Sequence, residues 1–247
     1  MKKIIPFLIL SSLFLVFCSN SSHQADSDYQ NTSFDGNEKY IKLDPNAILP
    51  FVNRGISFVK EGKYKKAIND FNQAIQADPK SLISYYYRGL SHMYVGNNSK
   101  AVNDFTSVIH LDGKFLPAYY FRGAAYGRSA QYQKAIKDFN IVILENPKFL
   151  QAYYDRGLSY FFQNKLNQAI KDFNHVTDLN PKFASAFYYK GIVYTKKAEY
   201  QEGISNFTKT IELNPGFFPA YSDRGLAYTA IKRFENALND NFTADNI

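Results

Sequence analysis

Cysteine is almost missing from this 247-residue chain: Cys18 stands alone. No internal disulfide can form, so the fold must hold without staples even in an oxidising compartment. The four histidines, His23, His92, His110 and His175, are scattered, and none stands at metal-ligand spacing from another. Glycine-rich phosphate loops, nucleophile elbows and zinc motifs are missing too. Nothing therefore points to catalysis, a metal or a cofactor. Lysine and arginine outnumber the acids by 29 to 22 without a basic run, a balance that argues against nucleic acid as a partner. Long apolar stretches are also wanting, since the run at 4–17 falls short of the ~20 residues a bilayer span needs.

What that run does fit is an export signal, because Lys2 and Lys3 precede it and a polar segment follows. Loss of the two lysines with the leader leaves 27 basic against 22 acidic residues, a mild excess. Leu15-Val16-Phe17-Cys18 resembles the lipobox of bacterial lipoproteins, in which cleavage precedes a cysteine that carries lipid; Phe17 departs from the small residue usual there. A lipidated Cys18 and a cysteine beside an ordinary cleavage site are the two readings, and its isolation favours the lipid. Residues 19–39 are polar and poor in large aliphatics, as suits a tether. The expectation is a signal peptide at 1–17, a lipidated tether at 18–39, and attachment to a membrane of the bacterial cell envelope, at a periplasmic face or the cell surface.

The rest of the chain is periodic. Gly55, Gly89, Gly123, Gly157, Gly191 and Gly225 are spaced by 34 residues, with no insertion. In the same phase follow Ala67, Ala101, Ala135, Ala169, Gly203 and Ala237, then Phe71, Phe105, Phe139, Phe173 and Phe207. Pro79, Pro147, Pro181 and Pro215 close the units. A fixed period of this length means stacked supersecondary units. The apolar positions fall on one stripe of each of two helices per unit, and glycine within a helix costs about 0.5–1 kcal/mol, a loss that only close helix approach offsets.

This pattern resembles the tetratricopeptide repeat (TPR) family, whose 34-residue unit has an aromatic at position 4, glycine at 8, tyrosine at 11, alanine at 20, an aromatic at 24, alanine at 27 and proline at 32. The resemblance implies an all-α fold, a right-handed superhelix or α-solenoid of helix-turn-helix repeats at 48–81, 82–115, 116–149, 150–183, 184–217 and 218–247. Residues 40–47, with Pro45 in phase, are expected to form a partial capping helix. Phe242 arrives one residue out of phase, and no solvating helix follows unit six. Two readings remain: an apolar face open to a partner or a second copy, or merely a more polar final helix.

Position 7 carries Arg54, Arg88, Arg122, Arg156, Lys190 and Arg224, and position 23 carries Asp70, Asp104, Asp138, Asp172, Asn206 and Asp240. If the hairpin turns near position 15, where Gly62 and Gly96 lie, the two positions are equidistant from the turn. The fifth unit departs at both together, as ion-paired residues would; independent surface charges are the competing reading. Either way the recurring Arg-Gly is architecture.

For function the resemblance implies a concave groove lined by positions 2, 5, 9, 12 and 13 of the first helix. Position 5 gives a ladder, Tyr86, Tyr120, Tyr154 and Tyr188, surrounded by Leu90, Met93, Tyr94, Arg128, Leu158, Phe161, Phe162 and Lys196. The rings either offer their faces to a ligand or pack between neighbouring helices. Val52 and Ile56 stand where the family's carboxylate clamp has lysine and asparagine, so capture of chaperone tails is not expected. The expected function is a non-enzymatic, membrane-anchored scaffold for a peptide or protein partner; the alternative is a glycan or peptidoglycan binder that stacks rings on the ladder.

Overall fold

The computed structural model describes residues 49–245, and among these it contains twelve α-helices and no strand. They alternate as A and B helices of six pairs: α1 (Leu49–Lys60) with α2 (Tyr64–Ala77), α3 (Leu82–Tyr94) with α4 (Asn98–Leu111), α5 (Leu116–Arg128) with α6 (Tyr132–Glu145), α7 (Leu150–Phe162) with α8 (Leu166–Leu179), α9 (Ala184–Lys196) with α10 (Tyr200–Leu213), and α11 (Phe218–Ala230) with α12 (Phe234–Asp245). The leader, Cys18, the tether and the expected cap at 40–47 lie outside the described residues.

The described chain divides into two compact units, one running to Asp172 and the other starting at Phe173. Within each, consecutive helices pack on one another. The B-helix phenylalanines Phe71, Phe105, Phe139, Phe173 and Phe207 are almost wholly removed from solvent, a burial that stabilises by about 1.5–3 kcal/mol for each side chain.

In the first, second, third and fifth pairs the glycine at position 8 faces this phenylalanine. A Cβ built on Gly191 lies 2.5 Å from the Phe207 ring, and one on Gly55 lies 2.6 Å from Phe71. The expected backbone approach to position 20 is present as well, since a Cβ on Gly203 sits 3.3 Å from the Gly191 carbonyl oxygen. The helix penalty of glycine is thus exchanged for ring-on-backbone packing.

Both turn types follow from local chemistry. Between A and B helices, position 15 adopts positive φ in all six pairs: Gly62 and Gly96, then Ala130, Asn164, Ala198 and Lys232. The next residue's amide reaches back to close the A helix, as in Lys63 N to Phe58 O at 2.8 Å and Glu199 N to Tyr194 O at 2.9 Å, the bond pattern of a left-handed C-terminal cap. Between B and A helices, an Asp or Asn side chain accepts from the amide two residues on, Asp78 from Lys80 and Asn180 from Lys182, and most of these turns also carry proline.

Candidate functional site

The position 7 arginines and position 23 aspartates meet. Arg54 with Asp70, Arg88 with Asp104, Arg122 with Asp138, Arg156 with Asp172 and Arg224 with Asp240 each form two parallel hydrogen bonds, from Nε and Nη2 to the two carboxylate oxygens. The remaining Nη1 reaches position 25 of the preceding pair, where Asn72, Thr106, Asn140 and Thr208 accept from Arg88, Arg122, Arg156 and Arg224. Each guanidinium also lies over the position 4 ring of its own helix, as Arg156 does over Tyr153 at 5.3 Å. One planar cation thus clamps its own hairpin and the hairpin before it. Burial pushes the Asp138 carboxyl above its ordinary range against the pull of Arg122.

The fifth pair lacks this clamp. Burial pushes the Lys190 ammonium below its ordinary range, and it lies 5.4 Å from the Phe187 ring centroid. Asn206 turns away, donating to Glu202 O of its own helix at 2.8 Å.

The tyrosine ladder does not line a groove. Tyr86, Tyr120, Tyr154 and Tyr188 are between 0 and 8% exposed. Tyr120 meets Phe149 edge to face at 5.1 Å, and Tyr188 meets Phe217 likewise at 4.9 Å. Position 5 points into the seam with the loop leading to the next A helix, so its ring is core and has no face to offer. Met93, Leu158 and Phe161 are buried as well. Buried rings also remove the platform on which sugar stacking depended.

Two tyrosine hydroxyls have carboxylate acceptors that sequence reasoning missed: Tyr120 donates to buried Asp155 and Tyr188 to half-buried Asp223, both at 2.8 Å. The signal was present as tyrosine followed 35 residues later by aspartate, twice. Burial holds the Asp223 carboxyl up at about 6, opposed by the Tyr188 hydrogen bond, and raises the Tyr188 hydroxyl as well.

What stays open is position 13. Tyr94 is 60% exposed and stacked on Tyr64 at 4.5 Å. Arg128 is exposed, its Nη1 directed at Met93 O, and Phe162 is half-buried on Tyr132 at 5.2 Å. Leu90 is half-buried in the first unit, and Lys196 is exposed in the second. On α12, Phe234, Leu238 and Phe242 are 63–72% exposed at successive turns of one face. Among the described residues no group of three His, Cys, Asp or Glu is placed to hold a metal ion, and no helix is long and apolar enough to cross a membrane.

Comparison with known proteins agrees with this architecture. Residues 55–96 match the family described as TPR repeat, and 150–183 match Tetratricopeptide repeat. Solved structures with the same fold include MamA (residues 41 to the end) from Desulfovibrio magneticus RS-1, at TM-score 0.66 and 22% identity over 69% of this chain and 96% of that one. A tetratricopeptide repeat protein from Parabacteroides merdae aligns at 0.68 and 23%, covering 78% and 77%. YrrB, described as a TPR protein with an unusual peptide-binding site, aligns at 0.62 and 20%, covering 70% and 90%. No protein of curated function matches the sequence significantly. The fold is an all-α solenoid of tetratricopeptide repeats, and the matched segments support that family for the chain.

Proposed function

We propose that the protein is a non-enzymatic scaffold that holds a peptide or protein partner on the A-helix face of its first compact unit. The observation that carries this reading is the position 13 row, Tyr94, Arg128 and Phe162, which keeps two aromatic rings and a cation at the surface while the tyrosine ladder is buried. Each ring rests on a B-helix tyrosine, Tyr64 or Tyr132, and is therefore pre-oriented, which lowers the ordering cost of binding. The fold shared with YrrB, a protein described as binding peptide, supports the same reading. Replacing Tyr94 and Phe162 together by alanine is expected to weaken partner capture at least tenfold, since aromatic anchors dominate such interfaces, with only a modest fall in melting temperature. Unchanged capture by the folded double variant contradicts the assignment.

Export and lipid attachment at Cys18 belong to the same proposal, supported by the basic and apolar residues before it and the polar ones after. Cys18→Ala is expected to shift the protein from the membrane to the soluble fraction, and a mature amino terminus lying beyond Cys18 excludes the lipid. Pairing of two copies through Phe234, Leu238 and Phe242 is the corresponding proposal for α12. A monomer by sedimentation at high protein concentration excludes it.

A further inference from the structure

Five of the six pairs place a carboxylate at position 23 against the position 7 cation, at 2.6–2.8 Å. The fifth pair keeps the cation and has lost the carboxylate. Lys190 is half-buried and makes no hydrogen bond or ion pair with any described residue; Asp178 attracts it only from beyond ion-pair distance. An ammonium partly withdrawn from water without a counter-ion is unfavourable in the free protein, and that penalty is relieved by whatever supplies the charge. Next to it lies a surface groove of about 550 Å³ whose walls include Phe187, Asn206, Ser205, Thr208 and Lys209. Phe187 is the ring under the Lys190 ammonium, and Asn206 occupies the vacated aspartate position. The one acid in the wall, Glu212, is bonded to Lys209 at 2.9 Å.

We propose that Lys190, Phe187 and Asn206 form a docking site for an aspartate or glutamate side chain presented by a protein partner. The incoming carboxylate stands in for the missing position 23 aspartate, and accepts from the Lys190 ammonium. The Phe187 ring packs against the acid's methylene. The Ser205 hydroxyl and the Asn206 amide meet the partner's backbone along the groove, which is too open to enclose a small molecule but broad enough for an extended segment. With asparagine at position 23, no carboxylate of its own hairpin competes for the Lys190 ammonium. This site belongs to the second compact unit and adds a second contact to the scaffold reading, on which it rests only in taking the partner to be a protein.

The test uses the full chain with isotopically labelled lysine and asparagine side chains, followed by NMR during titration with acetyl-Gly-Asp-Phe-Gly-amide and with its Asn-for-Asp twin. The Asp peptide is expected to shift Lys190 and Asn206 saturably and to bind at least fivefold tighter than its twin. Asn206→Asp supplies the carboxylate internally and should weaken the Asp peptide at least fivefold in a chain that remains folded; Lys190→Gln should do the same. Tyr94→Ala with Phe162→Ala should leave this binding unchanged. Equal shifts from both peptides, equal shifts from acetate alone, undiminished binding by Asn206→Asp, or loss in the position 13 variant each overturns the proposal.

Discussion

The fourth and fifth helix pairs follow one template and differ where it matters most for the stack. In the fourth, Arg156 holds Asp172 through two bonds, Asn140 through a third, and lies between the rings of Tyr153 and Tyr160 at 5.3 and 5.9 Å. In the fifth, Lys190 retains only the Phe187 ring. Replacing a planar fork by a compact ammonium removes bidentate geometry along with reach, and the partner aspartate became asparagine. The fold persists without the clamp, because the packing of the B-helix phenylalanine is kept: Phe207 lies against Gly191 and is as buried in the fifth pair as Phe173 in the fourth. Hydrophobic packing holds the repeat, whereas the clamp specifies register and is dispensable in one unit.

The comparison is broken most severely by removing what the fifth pair relies on instead. Tyr188→Ala deletes a ring packed on Phe207 and Phe217 and strips the hydroxyl from half-buried Asp223. A loss of about 4–5 kcal/mol by urea unfolding is expected, combining a core cavity with an orphaned acceptor. A loss below that of a typical exposed substitution would show the ladder to be free of the core.

Next in size is the clamp itself. Asp172→Asn leaves the Arg156 guanidinium, 17% exposed, without its charge partner and should cost about 3–4 kcal/mol. Asn206→Ala in the fifth pair should cost under about 0.5 kcal/mol, as for an ordinary surface site. Similar losses at the two places would mean that the clamp adds nothing the asparagine does not.

Asp223 gives the second compact unit a pH dependence of its own. Its folded pKa of about 6 lies above the unfolded value of about 3.9. Below pH ~4 both states are protonated. As pH rises from about 4 to 6 the unfolded chain loses its proton first, so the folded state binds more protons and stability falls, by about 2–3 kcal/mol in all, with no further change above. The stability difference between wild type and Asp223→Asn, followed across this range, isolates the effect; a flat difference rejects it.

A smaller, opposite change comes from restoring the template. Lys190→Arg with Asn206→Asp should rebuild the fork and gain about 1 kcal/mol, the net worth of well-formed charged hydrogen bonds at a partly exposed site.

Much of this was legible in the sequence, because repetition turns single residues into statistics. Gly55 alone is ambiguous, whereas six glycines in phase with Phe71 and its successors require a seam, and the joint departure of Lys190 and Asn206 pointed to contact between positions 7 and 23. The tyrosine ladder was misjudged for a physical reason. Helical periodicity gives the direction of a side chain around its own helix but not what the following loop places there, and Phe115, Phe149 and Phe217 come from that loop to cover Tyr86, Tyr120 and Tyr188. The guanidinium's third partner escaped notice because it belongs to the preceding unit, 16 residues back, in Asn72, Thr106, Asn140 and Thr208.

The smallest expected effect lies in the turn of the fifth pair. Position 15 is left-handed in every pair, yet glycine occupies it only in the first two, and Ala198 holds φ 63° in the fifth. For an L-residue this conformation brings Cβ against the following carbonyl and costs about 1–2 kcal/mol, while glycine adopts it freely but loses more entropy on folding. The two terms oppose, so Ala198→Gly should stabilise by about 0.5 kcal/mol, a rise of about 1–2 °C in melting temperature for a chain of this size. The reverse change, Gly96→Ala in the second pair, meets no neighbour within 4 Å. Any loss there reports backbone strain alone, and about 1 kcal/mol is expected. If Ala198→Gly destabilises while Gly96→Ala is neutral, side-chain loss outweighs φ at this turn, and the left-handed cap is held by its return hydrogen bond from Glu199 to Tyr194 whatever residue occupies it.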